Sequence, residues 1–159
     1  MGLAVEHDLS VKHRWPLFIL LLGVVNPLVG FAMDCPLLVV AARSAPIDYL
    51  SRQEIRRLYL GVPLQVEGGT LQPVRNTSDT MLQEVFLQKI LAMSKNAYRR
   101  VLAARLVRLR EPGPAEARDI DKLIQMLLAN PYLVSYLWKS DFPENNELKI
   151  LLEVPCVNN

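Results

Sequence analysis

The stretch Arg75-Asn76-Thr77-Ser78-Asp79-Thr80 gathers a guanidinium and three hydroxyls within six residues. Leu82, Val85, Phe86 and Ile90 follow at helical spacing, so this polar stretch opens a helix. A helix start presents free N–H groups and the positive end of the dipole, and both suit an anion such as phosphate. Arg75 would add a charge-assisted bond, and Thr77, Ser78 and Thr80 would donate hydroxyls. The same residue types also have a purely local explanation. Ser, Thr and Asp are favoured as N-caps, and a carboxylate at Asp79 suits the dipole but repels a bound anion. Both explanations stay open at this point.

Other chemistries are poorly supplied. The two histidines, His7 and His13, both precede residue 33. Residues 33–159 therefore lack a His base, a Ser-His-Asp triad and a His-ligated zinc site. There is no Walker loop, GxGxxG or CxxC, and no paired carboxylates stand out. The expectation is a non-catalytic protein without metal or cofactor. Eighteen basic residues against sixteen acidic leave +2, too little to argue for nucleic acid. Arg52, Arg56 and Arg57, and then Arg99, Arg100, Arg105, Arg108 and Arg110, form basic clusters. They would suit an acidic partner or lipid headgroups, or simply solvated helix faces. Tyr59, Tyr98, Tyr132, Tyr136 and Trp138 read as pocket lining or, more simply, as core with a wet polar edge.

The N-terminus carries an address. Lys12, His13 and Arg14 precede the apolar run Pro16 to Ala32, and Gly30 and Ala32 provide small residues before a cut ahead of Met33. This is a secretory signal peptide over residues 1–32. The competing expectation is an uncleaved N-terminal anchor, although the run falls short of the ~20 apolar residues of a span and Asn26-Pro27 interrupts it. Ala32-Met33-Asp34 before Cys35 is not a lipobox. An exported, periplasmic chain gives Cys35 and Cys156 meaning as a disulfide tying the termini, with two unpaired thiols as the alternative.

At 51% apolar and 21% charged, the composition is that of a folded protein, and residues 33–159 read as one domain. Leu37 to Ala42 is a buried strand whose two-sided apolarity suits a parallel sheet. Ser51 to Glu54 is a capping box opening a helix that Gly61 and Pro63 end. Thr70 to Val74 is a strand that Pro73 places at an end or an edge. After the helix begun at Thr80, Ser94 caps another, with Tyr98, Val101, Leu102, Leu106 and Leu109 at helical spacing. Glu111 to Pro114 breaks it. Ile120 to Leu128 is a further helix, and Tyr132 to Trp138 and Leu148 to Val154 are strands that pair as a hairpin. The fold class is α/β, a mixed and mainly parallel sheet flanked by helices.

Four stretches in this order resemble the type 2 periplasmic solute-binding proteins, in particular phosphate-binding-protein-like chains. They are Leu50 to Gly61 (LSRQEIRRLYLG), Gly69 to Val74 (GTLQPV), Arg75 to Thr80 running into Phe86, and Asn130 to Leu137 with Leu148 to Val154. The resemblance implies one lobe of such a protein, where full members close two lobes on a ligand. It implies a small anion such as phosphate as partner, in connection with ABC-type phosphate transport. Two departures weaken the anion expectation. Asp79 stands where the family has the glycine of a Ser-Gly-Thr turn, and Val101 to Ala104 lacks the family's tryptophan. Ser135 stands where the family usually has glycine and reads as a strand residue. The alternative is a ligand-free interaction module docking an envelope or membrane protein partner.

Overall fold

The computed structural model describes Gly2 and residues 36–155. The signal peptide expected over 1–32 and the disulfide expected between Cys35 and Cys156 lie outside the described residues. The elements are β1 (Leu37–Ala42), α1 (Arg52–Tyr59), β2 (Leu64–Val66), β3 (Gly69–Asn76) and α2 (Thr80–Phe86). A π-helical turn, Leu87–Leu91, extends α2. Then come α3 (Lys95–Leu109), β4 (Ala115–Ala117), α4 (Ile120–Ala129), β5 (Leu133–Trp138) and β6 (Leu148–Val154).

The sheet runs β2-β3-β5-β1-β6, with β4 on β3. All six residues of β1 are buried because helices cover both faces of the sheet. The alternation of a strand divides them. Leu37, Val39 and Ala41 pack with Ile55, Leu58, Leu82, Phe86 and Tyr98, from α1, α2 and α3. Leu38 and Val40 pack with Leu123 and Leu127 of α4. The chain is thus three layers deep, with α4 alone on one side.

The mixed α/β class stands, but the strand directions differ from the expected balance. Only β3–β5 and β3–β4 are parallel; β1–β5, β1–β6 and β2–β3 are antiparallel. β5 and β6 do not form a hairpin, because β1 lies between them and pairs with both. The apolarity of Leu37 to Ala42 reflected cover on both faces, which constrains burial and not strand direction. Nor is β3 an edge. Gln72 N–H donates to Tyr132 O at 2.9 Å on the β5 side, so the N of Pro73 points to the opposite edge. There the pairing with β2 ends at Leu71 and that with β4 begins at Val74, so no ladder bond is lost.

Helix ends follow the sequence closely. Ser51 and Glu54 form the reciprocal capping box of α1, and Ser94 caps α3. α3 departs from its expected inward face. Only Tyr98 is buried, while Leu106 and Leu109 are each 56% exposed.

Candidate functional site

The polar stretch spans the end of β3 and the start of α2. Arg75 and Asn76 are strand residues, not loop. The parallel register sets Arg75 opposite Glu116 of β4, and Arg75 Nη1 lies 2.8 Å from Glu116 Oε1. The Arg75 side chain is 17% exposed and that of Glu116 is 41% exposed. On its other side, the guanidinium stands 5.6 Å from the centre of the Tyr98 ring, within cation–π range.

Two of the three hydroxyls are bound within the protein. Thr77 Oγ1 donates to Ala117 O at 3.2 Å, as does its backbone N–H at 2.8 Å. Ser78 Oγ donates to Asn76 Oδ1 at 2.6 Å, and Ser78 N–H donates to the same oxygen at 3.0 Å. Thr80 opens α2 and is exposed. Asp79 is the N-cap: its Oδ1 accepts from Met81 N–H at 2.6 Å and Leu82 N–H at 3.1 Å. Its Oδ2 accepts from Trp138 Nε1 at 2.9 Å. The Trp138 bond, reinforced by the backbone bonds, holds the Asp79 carboxyl below the usual range against the opposing effect of burial.

Beneath this stretch lies a network absent from the site expectations. Asn76 is fully buried, and its Nδ2 donates to Tyr136 O at 3.1 Å. Tyr136 OH donates back to Asn76 O at 3.1 Å. Ser135 Oγ and Tyr59 OH both donate to Val74 O, at 2.9 and 2.8 Å. Ser135 thus joins β5 to β3 through its hydroxyl, which a glycine would lack. Phe86 stacks on Tyr136 with ring centres 3.8 Å apart. Burial pushes the phenols of Tyr59 and Tyr136 well up, and that of Tyr98 up to about 12. Tyr59, Tyr98 and Tyr136 are therefore core residues with satisfied hydroxyls. Trp138 is half-buried on Asp79, and Tyr132 packs its ring against Gly69. No buried side-chain polar atom lacks a partner among the described residues.

A groove of about 590 Å³ opens elsewhere, between Leu58, Val62, Leu71, Leu102, Met126 and Leu133. An Arg105–Glu111 ion pair lines it, and the Arg105 guanidinium packs directly over Gly61, where φ is +86°. None of Arg75, Thr77, Ser78 or Thr80 reaches it. It draws on residues from α1, β3, α3, α4 and their connections, so no local sequence signal marks it. Among the described residues, no group of His, Cys, Asp and Glu is placed to hold a metal ion, and no helix is long and apolar enough to cross a membrane.

No family model matches the sequence, and no curated protein matches it. Solved structures do match the fold. One is an ABC-type phosphate transport receptor from Vibrio cholerae, 13% identical with a TM-score of 0.53 over 74% of this chain and 45% of that one. Another is a putative phosphate ABC transporter substrate-binding protein with bound phosphate from Clostridium perfringens. It is 10% identical with a TM-score of 0.57 over 74% of this chain and 44% of that one. The described residues have the fold of one lobe of a type 2 periplasmic binding protein. The chain spans less than half the length of the structures it matches.

Proposed function

We propose that this chain is an exported, non-catalytic protein that uses a solute-binding lobe as a docking module, its anion position being filled from within. The observation carrying this reading is the internal satisfaction of the Arg75–Asp79 stretch. An incoming anion would compete with Glu116 for Arg75, and with the Asp79 carboxylate for the N–H groups of Met81 and Leu82. The hydroxyls of Thr77 and Ser78 are already donated. Export rests on the pattern from Lys12 to Ala32, with an uncleaved N-terminal anchor as its variant. The partner is then an envelope or membrane component.

A second reading keeps the anion. Glu116 is half-exposed on a strand of three residues, so its carboxylate can be exchanged for phosphate at Arg75, with Thr77, Ser78 and Thr80 around it. This reading places the chain in ABC-type phosphate transport, the role printed for the fold relatives. Calorimetric titration of phosphate into the full chain separates the two. The docking reading expects no heat with wild type or Arg75→Ala. Heat with wild type that vanishes in Arg75→Ala overturns it in favour of the anion. Binding by Glu116→Gln alone identifies the internal carboxylate as what closes the site.

A further inference from the structure

From Lys95 to Arg110 the chain carries six basic residues and no acidic one. Arg105 is paired with Glu111. Lys95, Arg99, Arg100, Arg108 and Arg110 are exposed and form no ion pair with a described residue. At 100° per residue, Arg99, Arg100, Ala103, Ala104 and Val107 share the side of α3 opposite Tyr98, with Leu106 at its margin. Tyr98 holds the other side to the core, and Leu102 packs beside it. The outer side is aliphatic as well as cationic: Leu106 is 56% exposed and Val107 80%.

We infer that the outer face of α3 docks on an anionic lipid surface; this rests on the docking reading and specifies its partner. Arginine and aliphatic side chains are interleaved here and not segregated. The unpaired basic residues suit the phosphates of an anionic leaflet, and the exposed Leu106 and Val107 rest against it at headgroup level. The arginine stems lie along the same level while their heads stay with phosphate. An acidic protein would ask instead for a shaped recess. The depression on this face, lined by Asn96, Arg99, Arg100 and Ala103, is shallow and open.

The test is co-sedimentation of the full chain with vesicles of phosphatidylglycerol and phosphatidylcholine, of phosphatidylcholine alone, and with native envelope vesicles. The expected result is binding to the anionic vesicles that exceeds binding to neutral ones and falls with salt. Replacing both Arg99→Gln and Arg100→Gln should weaken it about thirtyfold, at roughly 1 kcal/mol per basic residue near such a surface. Val107→Asp should weaken it as well, and circular dichroism should show these exposed positions leaving the fold intact. Equal binding to both lipid compositions, unchanged by the arginine variants, assigns the contact to Pro16–Ala32 and overturns the proposal. Sedimentation with native envelope alone also overturns it, and leaves docking to a protein receptor standing. Sedimentation with no vesicle removes the lipid proposal and the docking reading together.

Discussion

Asp79 shows how one side chain can take up the donors at a helix start. Its two oxygens take three donors: two backbone N–H groups of α2 and the indole N–H of Trp138 on β5. Asp79→Ala should cost about 1–2 kcal/mol, from the lost cap and the unpartnered indole. Urea unfolding at neutral pH measures it. The pH dependence has a definite sign. The folded carboxyl lies below the unfolded value of about 3.9, so its contribution is complete above that value and is lost as pH falls through the folded one. Asp79→Asn retains a cap acceptor but not the charge, and should flatten this part of the acid limb. Asp141 titrates in the opposite sense, because burial and the nearby Asp79 charge push its carboxyl up. The capping roles of Ser51 and Ser94 were legible in sequence, because a cap is decided within four residues. For Asp79, sequence reasoning left cap and anion repulsion side by side. The partners of Arg75, Thr77 and Asn76 were not legible, since Glu116, Ala117 and Tyr136 lie 40 or more residues away.

Among the elements, β1 decides the most. It was recognised as a buried strand, but its neighbours were not. Periodicity reports which face is covered and carries nothing on which strand lies alongside. For the same reason β5 and β6 look like a hairpin in sequence, joined as they are by a short polar connection. The bridge expected between Cys35 and Cys156 rests on an even count of cysteines in an exported chain. The oxidised chain should therefore be lighter by two hydrogens in non-reducing mass spectrometry. Reduction should lower its stability by roughly 2–4 kcal/mol in denaturant titrations. Two thiols that titrate freely in the native, unreduced chain would dismiss the bridge.

At the scale of the whole molecule, the order of strands in the sheet is far from their order in the chain. β1 has its partners in β5 and β6, about a hundred residues later. A chain ending after Asn146 lacks β6. It would expose one edge of β1 and remove Leu148, Leu151 and Val154 from the two cores. Such a chain should not fold: circular dichroism should lack the native signal, and limited proteolysis should cut throughout residues 36–146. The three layers could be anticipated from amphipathic stripes and two-sided apolarity, whereas the strand order could not. The exposed outer side of α3 was not anticipated either, because leucines at helical spacing look the same whether or not anything covers them. Placing the first strand between the last two also governs when the fold can exist. Synthesis delivers residues from the N-terminus, and β1 emerges long before the strands that flank it. The lobe can be completed only after Leu148–Val154 has emerged, so until then β1 lacks one of the two strands that flank it.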